Sequence, residues 1–294
     1  MLIGFAGVGR MGAPMARRLL DAGHTVVAYD LYLSSDTLPE CLRDVDITVA
    51  ATPAELGATE ISLSMLPDAT ATEAVLFGTD GLVDRADPGH VHVVMGTVGP
   101  SAVRDLARRA ATHAVVVADA PVSGSVSLAE SGQITTMVGT DTEHFEQLRP
   151  LLAAMTRAQF HTGPVGSGSV AKLAVNSVLA SLNQGIAEAL VLAEADGLEP
   201  AALYEVLSAS AVAAPYVAYK REHFLDPTGT EVAFPLSLLH KDVGLGLALA
   251  REHDLHLPQA TAVALSLDRA LDSGMGAKDM AAVLELVRGT ENES

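Results

Sequence analysis

The sequence predicts an α/β domain with a mostly parallel sheet, followed by an all-α domain that a long helix joins to it. Short apolar runs alternate with amphipathic stretches over roughly the first 160 residues, the pattern of strands joined by crossover helices. Helical periodicity then continues almost to the last residue. Between the two patterns lies a glycine-rich segment, residues 163–168, that we expect to be a flexible junction. We therefore assign residues 1–162 to the first domain and 163–294 to the second.

The predicted elements follow this alternation in chain order. Continuous short apolar runs are typical of strands in a parallel sheet, because both faces of such a sheet are covered. They predict strands at residues 2–6, 25–29, 47–50, 60–65, 91–95, 115–118 and 135–138. The amphipathic stretches predict helices at residues 11–22, 69–77, 101–113 and 141–154. In the second domain, helices are predicted at residues 170–195, 200–209, 235–253, 258–272 and 279–288, several with proline in the first turn.

Composition excludes several classes of protein. The chain has 18 basic and 36 acidic residues, a formal charge of −18, so a nucleic-acid partner is not expected. Cys41 is the single cysteine and has no neighbouring histidine, which predicts an inert thiol and no internal disulfide. Apolar runs stay shorter than the ~18–20 residues that cross a bilayer, and residues 1–6 do not resemble a signal peptide. We therefore expect a cytoplasmic protein with no membrane partner.

A glycine loop follows the first predicted strand and opens the first helix. Its sequence is Gly7-Val8-Gly9-Arg10-Met11-Gly12. Gly7 permits a tight turn, Gly9 lets the backbone approach a pyrophosphate, and Gly12 lets the helix pack close to the strand. The amino end of the helix then presents free N–H groups and a positive dipole to the phosphates. The strand–loop–helix–strand context favours a dinucleotide site over a purely structural turn.

Asp30 ends the second strand, 23 residues after Gly7. A carboxylate there can accept hydrogen bonds from both hydroxyls of an adenosine ribose, and it would repel a 2′-phosphate. No arginine occurs at residues 31–34 that could bind such a phosphate. The sequence therefore favours NAD over NADP as the cofactor. The alternative is that Asp30 only caps a turn, which the same backbone would also allow.

Three further motifs occur downstream of this loop. They are Asp119-Ala120-Pro121-Val122-Ser123-Gly124, a glycine-rich entry to Lys172 and Asn176 within residues 163–176, and Lys241-Asp242-Val243-Gly244-Leu245. Together with the loop, they make nearly the whole chain resemble the β-hydroxyacid dehydrogenase family, which includes 3-hydroxyisobutyrate dehydrogenase and tartronate semialdehyde reductase. The resemblance implies a Rossmann-like first domain and an NAD(P)-dependent oxidoreductase that interconverts a small 3-hydroxy acid and its semialdehyde.

The long helix of the second domain is expected to carry the chemistry. Lys172 and Asn176 are spaced i, i+4 and so lie on one face of that helix, in a polar stripe that Ser169 and Asn183 extend. A solvated surface helix would explain such a stripe equally simply. The resemblance implies instead that Lys172 is the general acid/base and that Asn176 orients the substrate.

The resemblance also implies a substrate-binding segment, Ser123-Gly124-Ser125. Backbone N–H groups and the Ser123 hydroxyl would bind the substrate carboxylate there. An ordinary serine–glycine turn after a strand is the alternative. Ser125 departs from the usual family pattern, in which a second glycine occupies its position, so the identity of the substrate does not follow from the resemblance.

Further cofactor contacts are implied at four positions outside the glycine loop. Leu66 and Pro67 resemble the loop along the nicotinamide-side ribose, and Thr97 matches the position that contacts the nicotinamide end. Lys241 matches the residue of the second domain that closes over the cofactor. Gly96 departs from the pattern, since a serine is common there.

Other readings are weaker but remain open. The pair His253 and His256 lies three residues apart, but no second cluster supplies further ligands, so no metal is expected. An imine reductase resembles this architecture but generally lacks a lysine at the position of Lys172. A non-catalytic NAD-binding sensor would need the glycine loop alone. Extensive apolar helical surface in the second domain, together with the family habit, predicts a homodimer or homotetramer.

Overall fold

In a computed structural model that describes residues 1–34, 37–227 and 229–289, the chain divides into two units. The first is Met1–Lys172 and the second is Leu173–Ser294. The division falls inside one long helix, later in the chain than the predicted boundary between residues 162 and 163.

The first unit is built on one sheet, in which nine strands are found among the described residues. They are β1 (Leu2–Ala6), β2 (Thr25–Tyr29), β3 (Thr48–Val49), β4 (Ile61–Ser64), β5 (Val91–Val94), β6 (Val116–Asp119), β7 (Val122–Ser123), β8 (Ile134–Gly139) and β9 (Thr156–Gly163). The order β3-β2-β1-β4-β5-β6 is parallel throughout, and β8 joins β6 in the antiparallel sense, followed by β7. The parallel part has the strand order of the dinucleotide-binding Rossmann fold. From β1, the chain adds β2 and β3 on one side of the sheet and β4, β5 and β6 on the other, so the order of addition reverses between β1 and β4.

Helices of the first unit cover both faces of this sheet. They are α1 (Gly12–Asp21), α2 (Ala54–Gly57), α3 (Ala69–Phe77), α4 (Pro100–Ala111), α5 (Val126–Glu130) and α6 (Thr142–Ala153), with 3₁₀ turns at Glu40–Leu42 and Leu82–Asp84. Because strand side chains alternate between faces, Ile3 and Phe5 pack with α1 and α6, whereas Ala6 and Val94 pack with α2, α3 and α4. The predicted two-sided, mostly parallel sheet is confirmed.

Some elements of the first unit differ from the prediction. Strands β7 and β9 and helices α2 and α5 are additional to those predicted, and β8 runs antiparallel to β6. The glycine-rich segment 163–168 is also different, since it is fixed rather than a loose junction. Gly166 and Ser169 both donate backbone hydrogen bonds to the buried carboxylate of Asp119.

The long helix α7 (Ser167–Ala195) begins in the first unit and continues into the second. The remaining helices are α8 (Pro200–Ala209), α9 (Pro215–Leu225), α10 (Leu236–Glu252), α11 (Pro258–Asp272) and α12 (Val283–Gly289), with a 3₁₀ turn at Met280–Ala282. Helix α9 is additional to the prediction. The second unit is all-α, as predicted, within the residues that the structure describes.

The second unit has its own apolar core. Ile186 and Leu190 of α7 pack there with Leu239 of α10 and Val263 and Leu267 of α11. In the described part of the chain, α7 alone is long and apolar enough to cross a membrane, a criterion that core helices of soluble proteins also meet. Its apolar sequence is not continuous, because residues such as Asn176 and Asn183 interrupt it.

Candidate active site

The turn after β1 requires a glycine. Gly7 has a φ of +86°, and a Cβ atom there would lie 2.5 Å from the carbonyl oxygen of Met65. Its N–H donates a hydrogen bond of 2.8 Å to the carbonyl oxygen of Tyr29, which joins the turn to β2. Gly7 therefore brings the ends of three neighbouring strands together at the carboxyl edge of the sheet.

The two other loop glycines make room in different places. A Cβ on Gly12 would lie 1.8 Å from the carbonyl oxygen of Gly7, so the start of α1 packs directly on the turn. A Cβ on Gly9 would meet no heavy atom within 4 Å, and Gly9 is exposed. The loop thus leaves open space over Gly9, beside the amino end of α1, where a pyrophosphate group would fit. Of the remaining loop residues, Val8 is buried, Arg10 is exposed and Met11 is half-buried.

Asp30 is held against this loop. Its Oδ2 accepts a hydrogen bond of 3.2 Å from the Val8 N–H, and its Oδ1 accepts one of 3.1 Å from the Tyr32 N–H. The carboxylate is half-buried, and each oxygen retains a second lone pair for a ligand hydroxyl. A cleft of about 490 Å³ lies beside it, lined by Tyr29, Asp30, Leu31, Leu33, Val49, Ala50 and Ala51. A cleft of this size with one carboxylate can hold an adenosine.

The loop after β4 packs against the glycine turn, and the loop after β5 packs against the loop after β4. A Cβ on Gly7 would lie 2.9 Å from Leu66 Cδ2, and a Cβ on Gly96 would lie 2.1 Å from the Leu66 carbonyl oxygen. A Cβ at residue 96 would therefore clash with the Leu66 backbone, so this loop conformation requires glycine there. Thr97 follows it and is half-buried, and Pro67 is exposed next to Leu66. Leu66 is therefore in direct contact with the predicted cofactor loop.

The predicted substrate segment lies at the end of β7. Ser123 pairs with Thr135 of β8 and is half-buried, and Gly124 is exposed. Ser125 caps α5, since its Oγ accepts a hydrogen bond of 3.4 Å from the Leu128 N–H and lies 2.8 Å from Ser127 Oγ. The serine that departs from the family pattern thus has a local structural role.

In the second unit, Asn176 is fixed by an acidic residue of α10. Its Nδ2 donates a hydrogen bond of 2.6 Å to Asp242 Oδ2, and both side chains are buried. Asp242 Oδ1 lies 3.1 Å from the Lys241 ammonium. The side-chain oxygen of Asn176 is buried without a hydrogen-bond partner. Such an atom is costly unless a ligand pairs with it.

Asp119 binds backbone amides at the start of α7 and Asp242 fixes Asn176, although neither was predicted as a site residue. Both occur within the family motifs, which was the only sequence signal for them.

The structure also places the predicted catalytic lysine and the histidine pair. Lys172 is half-buried in the sixth position of α7. No group of three or more His, Cys, Asp or Glu side chains in the described ranges could hold a metal ion. His253 and His256 are both exposed.

Two family profiles together match nearly the whole chain. The NAD binding domain of 6-phosphogluconate dehydrogenase matches residues 2–163. The NAD-binding domain of NADP-dependent 3-hydroxyisobutyrate dehydrogenase matches residues 166–287.

Full-length relatives and a solved structure agree with these matches. The chain is 32% identical to 2-(hydroxymethyl)glutarate dehydrogenase of Eubacterium barkeri, over 97% of this chain and 94% of that protein. It is 35% identical to NAD-dependent L-serine dehydrogenase of Pseudomonas aeruginosa, over 99% of each. Mycobacterium tuberculosis 3-hydroxyisobutyrate dehydrogenase, solved with L-serine, is similar with a TM-score of 0.84 at 27% identity, over 98% of this chain and 99% of that one.

The fold, the cofactor loop and these similarities define an NAD(P)-dependent oxidoreductase that acts on small hydroxy acids and their semialdehydes. The chain belongs to the β-hydroxyacid dehydrogenase family.

Proposed function

We propose that the protein interconverts a small 3-hydroxy acid and its semialdehyde with NAD, and that Lys172 is the general acid/base. The observation that carries this proposal is the Asn176 side chain. Its nitrogen is fixed by Asp242, while its buried oxygen has no partner and so requires a hydrogen-bond donor from a bound ligand. In the sequence of α7, Lys172 precedes Asn176 by one helical turn.

Each proposed site residue then has its own role in the reaction. When bound, NAD supplies the acceptor for the substrate hydride, and NADH supplies the donor in the reverse direction. Lys172 takes the proton from the substrate hydroxyl during oxidation and returns one to the carbonyl oxygen during reduction. Asn176 accepts a hydrogen bond from another donor group of the bound substrate or cofactor and thereby orients the reacting carbon. Ser123, Gly124 and the backbone of Ser125 bind the substrate carboxylate.

The proposed cofactor contacts extend from the glycine loop along the edge of the sheet. Residues 7–12 bind the pyrophosphate, Asp30 binds the adenosine ribose, and Leu66, Pro67 and Thr97 line the nicotinamide side. Lys241 is a further proposed cofactor contact. NAD is proposed over NADP because the Asp30 carboxylate would face a 2′-phosphate of the same charge.

The central test compares Lys172→Ala with wild type in NADH formation. Loss of a general acid/base should lower kcat by roughly 10²–10⁴-fold while the Kd of NADH, measured by fluorescence, stays unchanged. Lys278→Ala is the matched control, since Lys278 is exposed and pairs with Glu285. Full activity of Lys172→Ala would disprove the proposed mechanism.

A substrate panel separates the alternative functions. It contains 3-hydroxyisobutyrate, 3-hydroxypropionate, glycerate, L-serine, threonate and 2-(hydroxymethyl)glutarate, together with a cyclic imine assayed with NADH or NADPH. Turnover of a hydroxy acid supports the proposal. Turnover of the imine alone would indicate an imine reductase, and cofactor binding without any turnover would indicate a sensor.

The cofactor preference has its own test. Asp30→Ala should lower kcat/KM for NAD and raise it for NADP, because one ribose contact and one repulsive charge are lost together. The ratio of the two kcat/KM values should change by roughly 10²-fold, as expected for a charge-based contact. An unchanged ratio would show that Asp30 only supports the turn at Tyr32.

We also propose that the protein is a homodimer or homotetramer. Several apolar side chains on the helices of the second unit are exposed, including Val178 at 70%, Leu192 at 75% and Val206 at 60%. We propose that these exposed side chains belong to an association surface, since contiguous apolar patches on a protein surface mark such sites. Light scattering coupled to size-exclusion chromatography tests this, and a 30.4 kDa species would contradict it.

A further inference from the structure

A buried carboxylate in the first unit binds the amino end of α7. Asp119 is the last residue of β6 and has no solvent-exposed surface. Its Oδ1 accepts a hydrogen bond of 2.6 Å from the Gly166 N–H, and its Oδ2 accepts one of 2.6 Å from the Ser169 N–H. These two amides lie on either side of the first helical residue, Ser167. A single carboxylate therefore holds the first turn of α7 at two points.

Two glycines permit this close approach. A Cβ on Gly139 of β8 would lie 2.3 Å from Asp119 Oδ1. A Cβ on Gly168 of α7 would lie 2.2 Å from the Met137 carbonyl oxygen and 3.0 Å from Asp119 Oδ2. Any larger residue at either position would push the helix away from the sheet. The first turn of α7 is thus fixed in its distance from β8 as well as in its rotation.

The charge at this position suits its partners. Burial raises the pKa of the Asp119 carboxyl, and the hydrogen bonds from Gly166 and Ser169 act in the opposite direction. The amino end of a helix carries unpaired N–H groups and the positive end of the dipole, so it stabilises an anion. Short hydrogen bonds from N–H groups to a carboxylate are stronger than those to a neutral acceptor. An amide side chain would therefore be a poorer anchor at this position.

We propose that Asp119 is a positioning residue for Lys172, an inference that rests on the proposed function of that lysine. Lys172 follows Ser169 by three residues, so it lies about one turn beyond the point at which the carboxylate holds the helix. A change in the rotation or height of that turn moves the lysine side chain with it. Asp119 acts through the backbone of α7 and needs no contact with the substrate.

The experiment is a double-mutant cycle between Asp119→Asn and Lys172→Ala. Asparagine has the same size, but it has one acceptor oxygen and so loses one of the two backbone anchors. We expect Asp119→Asn to lower kcat about 10–100-fold, since small misplacements of catalytic groups have effects of this order. The KM of the hydroxy acid and the Kd of NADH should change less than about two-fold, because the proposed carboxylate-binding segment and the glycine loop lie outside α7.

The cycle separates positioning from a general structural role. If Asp119 acts through Lys172, Asp119→Asn has no further effect on kcat in the Lys172→Ala background. The deuterium isotope effect on kcat, with substrate deuterated at the carbon that loses hydride, should also rise in Asp119→Asn as chemistry becomes limiting. Equal fold-losses in both backgrounds, or an unchanged kcat in Asp119→Asn, would overturn the proposal. If Lys172→Ala is itself fully active, the proposed function fails first, and that outcome is distinguishable from the other two.

Two further variants control for stability. Asp141→Ala removes the carboxylate that caps α6 through the His144 N–H at 2.9 Å, and this helix carries no proposed site residue. It should lower Tm and leave kcat unchanged. Gly168→Ala keeps Asp119 intact but displaces the same turn of α7. Gly168→Ala should also lower kcat, and it should have no further effect on kcat in the Lys172→Ala background. The proposal can therefore be tested with this variant if Asp119→Asn does not fold.

Discussion

At the residue scale, two of the three glycines of the cofactor loop have different roles. Gly12 provides space for the protein itself, because a Cβ there would lie 1.8 Å from the Gly7 carbonyl oxygen. Gly9 provides space for a ligand, because a Cβ there would meet no atom of the chain within 4 Å. The same substitution at the two positions should therefore affect two different properties.

We predict that Gly12→Ala lowers the free energy of unfolding by roughly 1–3 kcal/mol, as overpacking does. Gly9→Ala should leave stability within about 0.5 kcal/mol of wild type, as typical of an exposed site, yet weaken NADH binding. Thermal unfolding and NADH fluorescence titration, performed on both variants, measure the two effects. A Gly9→Ala variant that binds NADH normally would show that the pyrophosphate does not approach this residue.

The pair formed by Asn176 and Asp242 leads to a second prediction. Asn176→Asp would place a second carboxylate within hydrogen-bond distance of Asp242 in a buried position, where neither charge is solvated. The variant should lose about 2–4 kcal/mol of unfolding free energy, and the loss should shrink in acid as the pair takes up a proton. Adding Asp242→Asn should restore most of it, since an amide can donate to the new carboxylate.

Urea unfolding of wild type, both single variants and the double variant measures this coupling. The expected coupling energy is about 1–3 kcal/mol, which is typical of contacting polar residues. Additive effects of the two substitutions would show that the hydrogen bond between Asn176 and Asp242 contributes little to stability.

At the element scale, the sequence predicts those helices and strands whose apolar pattern is complete. The bounds of β1, β2, α3, α8 and α11 agree with the prediction residue by residue. Strand β9 was not predicted because half of its eight residues are exposed and Thr156 alone among them is buried, so it lacks a buried apolar run. Helix α9 was not predicted because its buried face contains Lys220, which pairs with Asp279 at 2.6 Å. A charged residue in the core removes the periodic signal.

For the site, the sequence predicts the residues that are close together along the chain and not those whose partners are far away. Gly7, Gly9 and Gly12 were predictable because the loop, the strand and the helix are adjacent in sequence. The roles of Asp119 and Asp242 were not, because their hydrogen-bond partners lie 47 and 66 residues away along the chain. The placement of Ser125 as a helix cap was missed for another reason, since α5 has only five residues and gives almost no periodic signal.

A buried polar chain connects β4 and β5. His90 Nδ1 lies 3.1 Å from the Thr59 carbonyl oxygen, which can only accept, so this nitrogen carries the proton. His90 Nε2 then accepts from Ser62 Oγ at 2.7 Å, and Ser62 Oγ accepts from His92 Nδ1 at 2.8 Å. His92 Nε2 in turn accepts from Ser64 Oγ at 3.0 Å. Every donor in this series of hydrogen bonds points in the same direction, from Ser64 toward Thr59, and this pattern requires both histidines to be neutral.

The two neutral histidines should make the stability of the first unit decrease in acid. Burial, with a smaller contribution from His90, lowers the pKa of His92 to about 3. Burial also lowers the pKa of His90. An unfolded histidine titrates near pH ~6.5 and binds a proton that the folded one does not, so stability rises with pH between the two values. The stabilisation is complete above pH ~6.5 and is lost as the pH falls toward 3.

We predict that His92→Asn is less stable than wild type at pH 8 and has a flatter pH dependence between pH 4 and 6. The difference in slope should approach about 1.4 kcal/mol per pH unit for one histidine. Hydrogen exchange at the amides of β4 and β5 measures the local free energy of opening. His113→Gln is the control, because His113 is exposed, and its slope should equal that of wild type. Equal slopes of the opening free energy against pH for His92→Asn and wild type would contradict a neutral, buried His92.

At the scale of the whole molecule, charge is the dominant feature. The formal charge is −18, and it is spread over the chain, with 10 basic and 19 acidic residues in residues 1–162 and 8 and 17 in residues 163–294. Both the proposed cofactor and the proposed hydroxy acid substrates are anions. Long-range electrostatics therefore oppose their approach, in contrast to enzymes whose field attracts the substrate.

Salt should accordingly increase the catalytic efficiency at low ionic strength. Between 0.01 M and 0.15 M the Debye length falls from about 30 Å to about 8 Å, which screens the repulsion between separated charges. We predict that kcat/KM for a hydroxy acid rises roughly two- to five-fold over this range, with kcat nearly constant because the chemical step occurs after binding. Sucrose at equal osmolality is the control and should have no such effect. A fall in kcat/KM with salt would mean that positive groups near the site, such as Lys172 and Lys241, determine the field that an incoming substrate experiences.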